Sequence, residues 1–297
     1  MEKAQFNKEF FDTTLNTFDQ LVQKNALDNL LDIVSAYEKG EIEFFDAGKK
    51  VELIAEQTNL HPFCVYTVYF AFMAEVLRKR YIEKGYPLDM WLNFVKDFQY
   101  QATDSNTVHG VWGQYCAPLW QSRYFNYTIF GFGTLQFEIR KFGGYYKEGN
   151  LEIKEDTPVL FAHVPNTGKP LKYENVLESY KKAEQFFTDN YLSELNGKVI
   201  FVLRSWVMSK KFASILKPTS NMLVMANDYD VFKYGEYADK DADTIWRIFG
   251  KELKEGEKLS DLPENTSLQR GVKDLLLRGE QIGWGWGVYK PHVEKYK

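Results

Sequence analysis

The sequence predicts an α+β protein in two parts. Residues 1–120 read as an all-helical N-terminal domain and residues 121–297 as a mixed-sheet α/β domain. Three observations carry this. Through the first hundred residues, apolar side chains recur every three or four positions, the spacing of helices that bury one face. From residue 134 the period changes to two, the spacing of half-buried strands. Later, continuous apolar runs alternate with helix-length segments, the pattern of a sheet covered by helices. A length of 297 residues also exceeds the usual size of one domain.

In the first part, Phe6, Phe10, Leu15, Phe18, Leu21 and Val22 share one stripe, and Leu27, Leu30, Leu31, Val34 and Tyr37 continue it after a break at Asn25. KVELIAEQTNL (50–60) gives a further helix. Pro62 suits a first helical turn, and the segment it opens runs to a stop at Gly85. Its middle is apolar nearly all round, which predicts the central helix of a bundle. LDMWLNFVKDFQYQ (88–101) adds another helix, and residues 103–133 read as the joint between the halves.

In the second part, Leu135, Phe137 and Ile139 alternate with Gln136, Glu138 and Arg140, a strand with a polar side. Gly143 and Gly144 predict a bend, and a short strand follows near residues 150–154. PVLFAHV (158–164) and KVIFVLRSW (198–206) are apolar on both faces, and a helix over 173–191 lies between them. That order implies a right-handed crossover and parallel pairing, with the earlier strands antiparallel. SKKFASIL (209–216) reads as a short helix, SNMLVMANDYDVFKYG (220–235) as two strands or one bent strand, and residues 241–253 as a surface helix. GWGWG (283–287) reads as a tight closing strand or as a place where a flat ligand approaches the backbone.

Composition narrows the function. A net charge of −4 and a pI of about 5.7 argue against a nucleic-acid or membrane-surface binder, which needs a basic field. No apolar run is long enough to span a bilayer. The N-terminus lacks the apolar core of a signal peptide. Two distant cysteines, Cys64 and Cys116, and four scattered histidines form no disulfide framework and no zinc spacing. These features predict a reduced, cytoplasmic protein without a structural metal.

Six segments, in order, are similar to a bacterial family of acyltransferase domain-containing proteins. They are GTLQFE (133–138), HVPNTGKPL (163–171), SYKKAEQFF (179–187), RSWVM (204–208), SNMLVM (220–225) and SLQRGVKDLLLRG (267–279), in which Gln269 and Arg270 read as the start of the last helix. That family pairs a helical N-terminal domain with a GNAT-like C-terminal domain. The resemblance implies an acyl-CoA-dependent N-acyltransferase, with acetyl-CoA or another acyl-CoA as cosubstrate and an amine of a small molecule or peptide as acceptor. One departure stands out. Ordinary GNAT phosphate loops read Gln/Arg-x-x-Gly-x-Gly/Ala, whereas NTGKPL has a single glycine.

Acyl transfer then assigns roles. Amides at a helix N-terminus accept phosphate oxygens, so Asn166, Thr167, Gly168 and Lys169 are candidates to hold the pyrophosphate. Main-chain groups of Ala162, His163 and Val164, where the sheet is expected to splay, would hold and polarise the thioester. His163 and Glu138 are alternative bases for the amine. Ser205 and Trp206 cap the next strand, where a parallel sheet puts its ligands. Tyr229 is a candidate acid for the thiolate. Two other readings stay open: a non-catalytic module that binds acyl-CoA, nucleotide or peptide, which the single-glycine loop favours, and a hydrolase using Cys116 with His109.

Overall fold

A computed structural model describes residues 7–167, 170–238, 242–253 and 256–296. Phe6, Gly168, Lys169 and Asp241, all named above, lie outside the described residues. The chain divides into two compact units, Met1–Gly131 with Pro165–Gly168, and Phe132–Val164 with Lys169–Lys297.

The first unit is helical: α1 Lys8–Gln23, α2 Leu27–Glu38, α3 Phe44–Thr58, α4 Pro62–Glu83, α5 Leu88–His109 and α6 Leu119–Phe125. Local chemistry sets several ends. The Asn7 side chain accepts from the amides of Glu9 and Phe10 at the start of α1. Pro62 opens α4, where His61 accepts from the Phe63 amide. Gly110, at φ +69°, closes α5 in the left-handed region that glycine adopts without strain. α5 therefore runs eight residues further than its apolar pattern suggested, into the predicted joint. As predicted, α4 is buried on nearly every side, and Phe70 on it packs with Phe44, Phe98 and Phe125.

The strands are β1 Ile129–Phe132, β2 Leu135–Lys141, β3 Tyr146–Glu148, β4 Leu151–Ile153, β5 Pro158–His163, β6 Phe201–Ser205, β7 Tyr229–Gly235 and β8 Trp284–Tyr289. The helices among and after them are α7 Tyr173–Tyr191, α8 Lys210–Ile215, α9 Asn221–Ala226, α10 Ala242–Phe249, α11 Ser267–Leu277 and α12 Lys290–Tyr296. Six strands form one sheet in the order β1-β2-β5-β6-β8-β7, and β3 and β4 form a separate hairpin. As the crossover argument requires, β5 and β6 are parallel. β2 pairs antiparallel with β5, and β8 is antiparallel to both its neighbours.

Four expectations need correction. SNMLVM forms helix α9, and only the following residues form strand β7. α10 is not a surface helix, because Ile245, Trp246 and Phe249 are buried. β1 and β3 were not foreseen, and α11 is followed by α12.

Strand register assigns residues to the two faces. Phe137, Phe201 and Tyr289 lie on one face and pack against Tyr180 of α7. The other face carries Glu138, Phe161, Val202, Trp284, Trp286 and Val288. There the β3–β4 hairpin contributes Tyr146, Leu151 and Ile153 to a buried cluster with Phe142, Trp286 and Val288. Each such large apolar side chain contributes roughly 1.5–3 kcal/mol by leaving water.

Candidate active site

The parallel pair at the centre of the sheet is short. β5 and β6 pair through Leu160–Phe201 and Phe161–Val202. Beyond that point each strand continues with its outer neighbour instead. Ala162 and His163 stay paired with Phe137 and Gln136 of β2, while Leu203, Arg204 and Ser205 stay paired with Gly287, Trp286 and Gly285 of β8. The two strands thus part at their carboxyl ends, with Ala162 and His163 on one lip and Leu203 to Ser205 on the other. This is where the sequence placed the splay.

Glu138 and His163 meet beside this parting. In the antiparallel register Gln136 faces His163 and Glu138 faces Phe161, so Glu138 and His163 are diagonal neighbours on one face, within reach of long side chains. His163 Nε2 lies 2.8 Å from Glu138 Oε2. Glu138 is only 6% exposed, and His163 is half-buried. Arg140 Nη1 lies 3.9 Å from the same carboxylate oxygen and is exposed. With Nε2–H donating to it, the carboxylate orients the ring, the arrangement by which an acid positions a histidine base. The sequence offered these two residues as alternatives. The structure makes them a pair.

The other candidates are distributed around this pair. Ser205 Oγ accepts from the Val207 amide and so starts a 3-10 turn over Trp206–Met208. The Trp206 ring meets Phe212 edge-on at 4.7 Å, a packing role. Tyr229 is two strands from the parted pair, on the α7 face, and its hydroxyl bonds that of Tyr180. Burial drives the Tyr229 phenol pKa far upward. Val164 is exposed at the end of β5. Asn166 Nδ2 donates to Asp104 Oδ1 at 2.7 Å, and Thr167 follows it. α7 begins at Tyr173 after Lys172 with no side chain capping it, and its first turn carries Glu174. Tyr173, its first residue, donates to Asp228; burial and that carboxylate push the phenol up to about 12.

His109 packs against Phe63 and Tyr115 at ring distances of 5.8 and 5.4 Å. Burial pushes the Cys64 thiol pKa up. Among the described residues, no cluster of three or more His, Cys, Asp or Glu is arranged to hold a metal ion. No described helix is long and apolar enough to cross a membrane.

One residue on this face escaped the sequence reading. Arg204 points from the same face as Glu138 and His163, on the opposite lip of the parting. Its guanidinium carbon sits 4.1 Å above the Trp284 ring and 5.8 Å from that of Trp286. In GWGWG the tryptophans point to this face and the glycines to the other. A Cβ on Gly285 would stand 2.3 Å from the Met208 carbonyl oxygen. The glycines therefore admit the chain's own 206–208 turn, and the closing-strand reading holds.

A mixed sheet with a central parallel pair that parts, joined by a long helix crossing one face, defines a GNAT-like domain. A family model described as a GNAT-like C-terminal domain matches residues 129–289, more than half of the chain, and the chain belongs to that family. No curated protein matches it. Solved structures with the same fold include an acyltransferase in complex with decanoyl-CoA and teicoplanin. It is 22% identical, with a TM-score of 0.63 over 76% of this chain and 65% of that one. An acyltransferase complex with CoA and 10C-teicoplanin gives the same values. A mutant acyltransferase with octanoyl-CoA gives a TM-score of 0.62 at 22% identity and the same coverage. This chain thus spans about 65% of the length of the structures it matches.

Proposed function

We propose that the chain is an acyl-CoA-dependent acyltransferase that moves an acyl group from the thioester to an amine of a small molecule or peptide. The observation that carries this reading is the Glu138–His163 pair, at 2.8 Å, beside the parted ends of β5 and β6. The donors bound by the structural neighbours, decanoyl-CoA and octanoyl-CoA, favour an acyl-CoA here, and teicoplanin favours a peptide-like acceptor.

In this reading the β5 main chain at Ala162, His163 and Val164 lies along the thioester. Asn166, Thr167, Gly168 and Lys169 remain the candidates to hold the pyrophosphate. The amine nitrogen attacks the thioester carbonyl carbon as His163 takes its proton. Glu138 stabilises the resulting imidazolium. The C–S bond then breaks, and the thiolate leaves as the thiol after taking a proton from the imidazolium or from water. Ser205 stands on the opposite lip.

The test has two stages. Calorimetric titration with acetyl-, octanoyl- and decanoyl-CoA reads binding, and a donor at a hundred times its Kd should add about 2.7 kcal/mol to unfolding stability. Transfer to a panel of primary amines then reads chemistry. His163→Asn should lower kcat/KM by roughly 10²–10⁴-fold, with a smaller loss in Glu138→Gln. Absence of heat with every donor, or full activity in His163→Asn, would refute the reading. Donor binding without transfer to any amine would favour the non-catalytic module that the single-glycine loop suggests.

A further inference from the structure

Arg204 has no part in the chemistry above. It is exposed at the end of β6, while Glu138 and His163 occupy the same face of the sheet across the parting. Continuing the Phe161–Val202 register by two residues brings position 204 level with position 163. The guanidinium lies over Trp284, and a cation over an indole face is held by the ring quadrupole. Stacking of this kind occupies only the flat side of the guanidinium. Arg204 is exposed, and its guanidinium carries five N–H donors in a planar fork of the shape that receives a carboxylate with two hydrogen bonds. Among the described residues, no acidic side chain pairs with Arg204. Arg140, the other arginine on this face, already has Glu138 within 3.9 Å. The buried tryptophans beneath Arg204 strengthen any ion pair formed there by excluding water from one side.

We propose that Arg204 receives a carboxylate of the acceptor, so that the acceptor class is an amine that also carries a carboxylate. This rests on the transferase reading and names the substrate class of that same site. Bound this way, the acceptor spans the parting, with its amine at His163 and its carboxylate at Arg204. Spacing narrows the class further. Paired neighbouring strands lie about 4.8 Å apart, the strands here have parted, and the Arg204 side chain leans away from β5 toward Trp284 on β8. The amine and carboxylate must therefore be further apart than in an α-amino acid, which favours a dipeptide or an ω-amino acid.

The experiment uses the full chain with octanoyl-CoA or acetyl-CoA as donor and pairs of acceptors that differ in one group: glycine and glycinamide, glycylglycine and its amide, and an ω-amino acid and its amide. The readout is the ratio of kcat/KM for the acid to that for the amide. In the wild type this ratio should exceed about ten for the two longer acceptors, and Arg204→Gln should bring it close to one. Arg204→Lys, which keeps the charge but loses the fork, should fall between them. A general loosening around Trp284 would slow both members of a pair alike and leave their ratio unchanged. Transfer to amines with no preference for the acid, a preference that survives Arg204→Gln, or no transfer to any acid-bearing acceptor would overturn the proposal. If Arg204→Gln instead weakens donor binding in calorimetry and leaves the ratio intact, the anion is a phosphate of the donor and the acceptor assignment fails. Loss of donor binding in the wild type would sink the transferase reading itself, and is thereby distinguished.

Discussion

Alternation along a strand ordinarily sends every second residue to water, and on that rule Gln136 and Glu138 belong outside. Both are buried, because the face that carries them is covered by protein at this point. A carboxylate is rarely buried without a partner. His163 is that partner, and its identity depends on register between strands twenty-five positions apart in the chain. The residue types were legible in the sequence; their pairing was not. Ser179 offers a similar lesson. Its hydroxyl donates to the Asn175 carbonyl within α7 and accepts from the amides of Thr134 and Leu135 at 3.2 and 3.4 Å. Ser179→Ala would leave those two amides without this acceptor in a buried setting. The expected loss is about 1–3 kcal/mol, read as a lower urea midpoint.

At the scale of elements, long periodic segments and the apolar runs of β5 and β6 take the expected form, whereas the short apolar run that forms α9 does not. Sixteen to twenty-two residues of helical spacing leave little ambiguity, and α1, α4 and α7 fall close to where their patterns put them. NMLVMA is six residues long, apolar after Asn221, and fits a strand or a helix equally well by periodicity. Tertiary contacts decided for the helix. α10, expected at the surface, instead sends Ile245 and Phe249 into the cluster around Phe212 and Val272. β8 shows an element shaped by its neighbour. Met208 lies so close that Gly285→Ala would place a methyl group at 2.3 Å from a backbone oxygen, which no side-chain rotation relieves. We expect that substitution to cost about 1–3 kcal/mol by overpacking and to shift the 206–208 turn. Denaturant unfolding would register the first effect and hydrogen exchange at residues 204–209 the second.

For the molecule as a whole, acid stability should depend on a histidine far from the proposed chemistry. His292 on α12 is 1% exposed, and its Nδ1 accepts from the Phe201 amide at 3.1 Å. Burial pushes its pKa down to about 4, against a partial pull upward from Glu184. The folded chain therefore holds a neutral imidazole at a pH where the unfolded chain, titrating near 6.5, binds a proton. Its contribution is complete above that unfolded value and fades as pH falls toward about 4, with a total on the order of 3 kcal/mol. His292→Gln should flatten this part of the curve; urea midpoints compared between pH 7 and pH 4.5 would show it, and an unchanged slope would contradict it. The sequence alone determined the helical first half, the change of period near residue 134 and the strand–helix–strand crossover, because these follow from local periodicity. Only the tertiary structure decided that Glu138 holds His163 and that Arg204 stands across from them on tryptophan. Those facts are set by register and packing between segments distant in the chain, and no local pattern encodes which residues will face each other.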